Sequence, residues 1–264
     1  MVGADEIDSR RADKFDRYDR FLIFDIETVV DEGMLKEVGE ERDLKRFHDG
    51  EFMHPAYHRV IAVSMMGIEG TRVRFFISRA SRFEDALLKT FWNRFLSMIG
   101  RDGNNLKFPV LITVNGKNFD VPVVLLRSLK HIDRFDDNER TSVMHFTDMS
   151  AEKYDPDHPY YMSRFTRYHI DVGNDIFGSR VSLKKLAHLS GISAKLEGRG
   201  EDVHEYFRKG DLERIARYCA EDVRATALIF SRINRLLYGT LYRHFPMEKV
   251  IHDARLDVCI DVMM

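Results

Sequence analysis

The chain has 264 residues, 44% hydrophobic and 32% charged, with a formal net charge of −2. This composition suits a globular protein of one large domain or two small ones and differs from that of a strongly basic nucleic-acid binder, although a basic rim can still surround an acidic centre. No apolar stretch reaches the ~18–20 residues that span a bilayer, the N-terminus lacks the apolar core of a signal peptide, and two cysteines, Cys219 and Cys259, make no disulfide framework; a cytoplasmic, reducing location without a membrane partner is expected.

Residues 1–19 read as a charged N-terminal arm. The first strand, about 20–26, is the apolar run FLIF followed by Asp25 and Glu27. Side chains at i and i+2 of a strand share a face, so two carboxylates project together from the strand's end. They repel each other and are costly to desolvate. Either the strand end is solvated or an oxygen-preferring cation, Mg²⁺ or Mn²⁺, compensates them. Residues 29–58 form a long connection with a charged helical pattern. His58-Arg59 leads into VIAVSMMGI, and VRFFIS (73–78) follows, giving a second and third strand of an antiparallel meander. Residues 82–99 carry Phe83, Leu87, Leu88, Phe91, Phe95, Leu96 and Ile99 at helical spacing, with Gly100 and Gly103 as the stop.

PVLITV (109–114) reads as a buried strand. The helix after it has Pro122 in its first turn and Asp120 near its cap. Residues 133–168 are polar, aromatic and weakly periodic, and are expected to form a long loop beside the site. A short strand at 168–172, a glycine-stopped helix LKKLAHLSG and a long helix over 211–237 capped by Asp211 complete the series. The order β-β-β-α-β-α-β-α-α predicts an α/β domain over 20–240, with a mixed central sheet of about five strands flanked by helices and a tail, 241–264, of no assigned role.

Three acidic features stand next to structural punctuation: Asp25 and Glu27 on the first strand, Asp120 where a helix begins, and Asp222 on the last long helix. Tyr218 precedes Asp222 by four residues, so the two share a helical face. Each feature alone is commonplace: a solvated strand end, a helix cap, a surface pair. Their order and spacing together are not.

FDIET, then NGKNFD (Asn115 to Asp120), then YCAED (Tyr218 to Asp222) resemble the tyrosine branch of the DEDD 3′–5′ exonucleases, which holds the proofreading domains of family A and family B DNA polymerases and ribonuclease D. HRVIAVS, HIDV and LERIARYCAEDVRATALIF are most similar to stand-alone predicted exonucleases related to the family B proofreading domain. The resemblance spans roughly 20–238. It implies an RNase H-like three-layer fold and two-metal phosphodiester hydrolysis with Mg²⁺ or Mn²⁺. In that reading Asp25 bridges both cations, Glu27 and Asp222 complete the site of the attacking water, and Asp120 holds the second cation. Two cations about 3.5–4 Å apart lower the pKa of water and stabilise the leaving oxygen. Tyr218, a phenol with an ordinary pKa of about 10, suits an orienter of water better than a base.

The resemblance also brings Thr28, Asn115 and Phe119 to the terminal nucleotide. The alternatives are a strand-end cap for Thr28 and a core position for Phe119. Lys117, Lys184, Lys185 and Arg199 are candidate phosphate contacts or solvated surface charges. Three other signals are weaker. LKKLAHLSGIS resembles the start of a helix-turn-helix, but glycines 198 and 200 interrupt the next segment, at about 1 kcal/mol each in a helix. His48, His54 and His58 lack the partners of a zinc site. DPDH (155–158) lacks the alternating acids of a calcium loop. The aromatics Tyr160, Tyr161, Phe165 and Tyr168 either stack bases or pack onto the sheet.

The expected activity is 3′–5′ exonuclease action on single-stranded DNA ends, DNA ranking ahead of RNA as partner, with a replication or repair protein as a further partner. An exoribonuclease trimming RNA 3′ ends is the alternative, since nothing in the sequence reads a 2′-hydroxyl. A non-catalytic nucleic-acid- or polymerase-binding module is the rival of another class, and the intact Asp25, Glu27, Asp120, Tyr218 and Asp222 argue against it.

Overall fold

The central strand β1 (Arg20–Val30) is built from residues that leave water on both faces: Phe21, Leu22, Ile23 and Phe24 are all buried. Such a continuous apolar run marks a strand covered on both sides. The structure is a computed structural model and describes residues 15, 17–148, 159–163, 166–192, 200–236 and 242–261. β2 (His58–Glu69) and β3 (Arg72–Ser81) continue from β1 as the expected antiparallel meander. Between β1 and β2 lie α1 (Glu32–Val38) and α2 (Glu41–His48), the helical content expected of the long connection.

After β3 come α3 (Glu84–Met98), a small hairpin of β4 (Gly100–Asp102) and β5 (Asn105–Lys107), then β6 (Val110–Thr113) and α4 (Asp120–His131). The stretch expected as one long loop contains α5 (Asp137–Phe146). Its start is a capping box, in which Asp136 accepts from Glu139 N–H and Glu139 accepts from Asp136 N–H. The face it buries is short: Glu139 accepts from Asn93 Nδ2 at 2.9 Å, Ser142 donates to Trp92 O at 3.0 Å, and Phe146 stacks on Tyr161. Tyr161 is fully buried and donates to Pro109 O, so it belongs to the core; Phe165 and 155–158 lie outside the described residues.

β7 (His169–Asp171) leads to α6 (Leu183–Leu189), then α7 (Gly200–Lys209) and the 25-residue α8 (Leu212–Leu236). The expected series has no helix at α7. Gly200 stands in its first turn, where glycine costs least, and Val203, Tyr206 and Phe207 pack into the core, so α7 serves packing. Asp211 accepts from Arg214 N–H and caps α8 as expected.

The main sheet runs β7-β6-β1-β2-β3-β8, with six strands where about five were expected. The sixth, β8 (Asp257–Asp261), follows α9 (Glu248–His252) and pairs parallel to β3, and Asp261 is held by Arg79 at 2.8 Å. Helices cover both faces. Leu22, Phe24 and Ile26 pack with Leu87, Phe91 and Trp92 of α3, while Phe21 and Ile23 pack with Ala220, Val223, Ala227 and Phe230 of α8. This is a mixed three-layer α/β arrangement, consistent with an RNase H-like exonuclease fold. Among the described residues no helix is long and apolar enough to cross a membrane.

Candidate active site

Strand parity aims the first two acids. Phe21 and Ile23 face α8, and Asp25 and Glu27 continue that face two and four residues further on. Cys219 of α8 accordingly lies against Asp25, its thiol 3.3 Å from Asp25 O and 3.6 Å from Asp25 Oδ2. The strand does not end at these acids, as the sequence suggested, but runs on to Val30. Pairing shifts between Glu27 and Thr28, where Ile61 of β2 is passed over. Such a bulge bends the pair and re-aims neighbouring side chains without ending the ladder.

Asp120 is the first residue of α4, and its Oδ1 accepts from Ile26 N–H at 3.3 Å, which ties that helix start to β1. Tyr218 and Asp222 lie one turn apart on α8. All five residues line one cavity of about 220 Å³, with Phe52, Asn115, Phe119 and Arg180. The candidate acids therefore meet from three elements, and Tyr218 points with Asp222 at β1.

Among the described residues none of the four carboxylates forms an ion pair, and Asp222 Oδ1 is buried with no hydrogen-bond partner. Burial, then the charges of Asp120, Asp222 and Glu27, raises Asp25 well above the usual carboxylate range. Glu27 is raised by burial and by Asp222 and Asp120. Burial foremost raises Asp120 to about 7, and burial with the charges of Glu221 and Asp120 raises Asp222 to about 7. Tyr218 is pushed above its ordinary value by burial and by Asp222, Glu27 and Asp25, so the phenol keeps its proton at neutral pH. Burial likewise keeps Cys219 a thiol.

The loop from β6 to α4 is organised by Asp171, fully buried at the end of β7. Asp171 accepts from the N–H groups of Asn115 and Lys117 and from Asn174. Asn115 adopts a left-handed conformation, φ 63°, uncommon for a residue with a side chain. Its Nδ2 donates to Val181 O, and its buried Oδ1 has no partner among the described residues. Phe119 lines the cavity with its ring edge-on to His58.

Other candidates fall elsewhere. Thr28 is not on the lining, and its hydroxyl bonds His58 Nδ1 at 2.9 Å. Lys117 Nζ is paired with Asp175 at 2.7 Å. Lys184 and Lys185 are exposed on α6, away from the lining, and Arg199 lies outside the described residues. His58 serves the core and His54 caps a short turn, accepting from Ala56 N–H.

Sequence reasoning missed Phe52, Arg180, Cys219 and Asp171. The acid that closes the short strand HID was a signal for Asp171, and Cys219 sits inside YCAED. Phe52 and Arg180 lie in connections without periodicity.

A family model described as a predicted 3′–5′ exonuclease related to the exonuclease domain of PolB matches residues 50–252. The match takes in Asp120, Tyr218 and Asp222 and begins beyond β1, so Asp25 and Glu27 join these three through the geometry of the cavity. No curated protein matches the chain.

Proposed function

The chain belongs to this family of predicted 3′–5′ exonucleases related to the exonuclease domain of PolB, and on that premise we propose that it hydrolyses phosphodiester bonds stepwise from the 3′ end of single-stranded DNA with two divalent ions. The observation that carries this reading is the meeting of Asp25, Glu27, Asp120 and Asp222 in one cavity, with none of them ion-paired to a protein cation among the described residues.

The donor set fits Mg²⁺ or Mn²⁺. All four groups offer carboxylate oxygen, Asp222 Oδ1 lacks any partner among the described residues, and burial foremost, with repulsion from neighbouring acids, raises all four pKa values, the state that a hard cation relieves. Asp25, Glu27, Asp120 and Asp222 would hold the ions. When bound, the ions lower the pKa of a water and neutralise charge on the scissile phosphate and leaving 3′-oxygen.

The remaining work falls to neutral groups. Tyr218 keeps its proton, so its hydroxyl acts as a hydrogen-bond donor and orienter beside the acids. Asn115 lines the cavity where the terminal nucleotide would lie, its left-handed backbone held by Asp171. Phe119 offers the terminal nucleotide an apolar wall.

The test is digestion of 5′-labelled DNA and RNA oligonucleotides, single- and double-stranded, with Mn²⁺, Ca²⁺ or chelator. Single-stranded DNA should give a descending ladder with Mn²⁺, little turnover with Ca²⁺, whose bonds are longer and looser, and none with chelator. Undiminished hydrolysis in chelator, or internal cuts in a closed single-stranded circle, rules the reading out.

A further inference from the structure

Two residues from separate connections meet at the cavity that the acids line. Phe52 follows α2 and Arg180 precedes α6. Arg180 is the cation on the cavity lining among the described residues, and its guanidinium lies 5.7 Å from the Phe52 ring centre. Phe52 is 54% exposed although its backbone is fixed. Arg46 donates to Phe52 O at 2.8 Å, and the next residue, Met53, is buried with Leu35 and Tyr57. The Phe52 ring rests on Phe119 and His58, with centres 5.0 and 5.2 Å away.

Arg180 is also tethered by its neighbours: Ser179 N–H donates to Gly173 O, and Val181 O accepts from Asn115. Its guanidinium forms no ion pair among the described residues, although four carboxylates line the same cavity. A fixed aromatic face exposed to water and an unpaired planar fork of donors, side by side at a cavity mouth, match the two repeating parts of a single strand. A base stacks on the aromatic face whatever its identity, and a phosphate takes the fork.

We propose that Phe52 and Arg180 form a clamp for a single-stranded nucleotide at the cavity mouth, with its base stacked on Phe52 and a backbone phosphate paired with Arg180. The clamp rests on the exonuclease reading and deepens it. It makes strand state a property of the entrance, because a base within a duplex cannot present its face to Phe52.

Binding of 5′-fluorescein-labelled dT10 by fluorescence anisotropy, with Ca²⁺ in place of Mg²⁺, tests the clamp apart from turnover. Phe52→Ala should weaken binding roughly 5- to 150-fold, with Phe52→Trp restoring it. Arg180→Ala should lower the slope of log affinity against log salt by about 0.7, the loss of one single-strand phosphate contact, and Arg180→Lys should keep the slope. With Mn²⁺, both alanine variants should raise KM while kcat holds, and Phe52→Ala should narrow the preference for single over double strands. Wild-type affinity, salt slope and strand preference in both alanine variants, with the parent binding and degrading the oligonucleotide, overturn the clamp alone. A parent protein that neither binds nor degrades oligonucleotides overturns the exonuclease reading and the clamp with it.

Discussion

Two groups of buried or half-buried carboxylates stand at opposite ends of α4, and their surroundings make opposite use of charge. At its C-terminal end Arg127, 2% exposed, donates to both oxygens of Glu84 and to Asp31, and Lys130 and His131 reach the same acids. Glu84 also accepts from Val60 N–H, so the network joins α3, α4, β2 and the end of β1. Burial alone would raise Asp31, but hydrogen bonds from Lys130, Met34 N–H and Arg127 outweigh it and draw the group down to about 2. At the helix's N-terminal end Asp120 joins Asp25, Glu27 and Asp222, no cation is paired with them among the described residues, and every one of the four is raised. The fold compensates the first group from within, and the proposed metal ions would compensate the second from outside. A buried acid is therefore informative about function through what surrounds it, not through its burial.

The contrast breaks most sharply at Asp25. Asp25→Ala removes a carboxylate from the proposed metal set, so single-turnover hydrolysis should drop by ~10³-fold or more, several kcal/mol of lost charge stabilisation. Its melting temperature in chelator should hold or rise, since one repelling charge is gone. A large loss of metal-free stability would place Asp25 with the structural acids instead. Tyr218→Phe keeps the ring and removes the donor, so hydrolysis should slow by ~10²–10⁴-fold with Mn²⁺ affinity nearly intact. A lower melting temperature with unchanged cleavage would make Tyr218 a packing residue.

Arg127→Ala should show the reverse pattern. Leaving Glu84 buried and uncompensated should cost about 3–5 kcal/mol of stability, read by urea unfolding, with metal affinity in the still-folded protein unchanged. Coupled loss of metal binding would show that the two groups are not separate.

The smallest effect is the pH dependence of melting, and the two groups should move it in opposite directions. Asp120 and Asp222 are raised to about 7, so the folded state binds more protons than the unfolded one between roughly pH 4 and pH 7. Their contribution in chelator is present below pH 4 and fades as pH rises through about 7. Saturating Mn²⁺ should cancel that decline, because the metal takes the anionic form. Asp31 is depressed, so its contribution is present above roughly pH 4 and lost as pH falls toward about 2. Melts from pH 3 to 8, with Asp31→Asn beside the parent, separate the two; a chelated protein whose stability climbs steadily from pH 4 to 8 would contradict the raised values.

Much of this site was legible before any coordinates. Asp25 and Glu27 follow an apolar run whose parity carries them to one face, and Tyr218 and Asp222 share a helical stripe. These are local rules of side-chain direction, written wholly in spacing. Strand identity for β1, β2, β3 and β6 and the extent of α8 likewise follow from apolar pattern. α5 was hidden because its start is a reciprocal hydrogen bond between Asp136 and Glu139 and its buried face is short, so hydrophobic periodicity carries little of it. β8 does alternate, but a short strand shows no partner in its own sequence; its place beside β3 is a pairing with a strand far away along the chain. Phe52 and Arg180 are the extreme case. Neither lies in a periodic element, and they meet only because α2, the short turn before β2 and the loop after β7 bring two distant connections to one cavity. Spacing within an element is set by backbone geometry, which the sequence by itself determines. Contact between connections depends on how separate elements pack, and only the tertiary structure decided it.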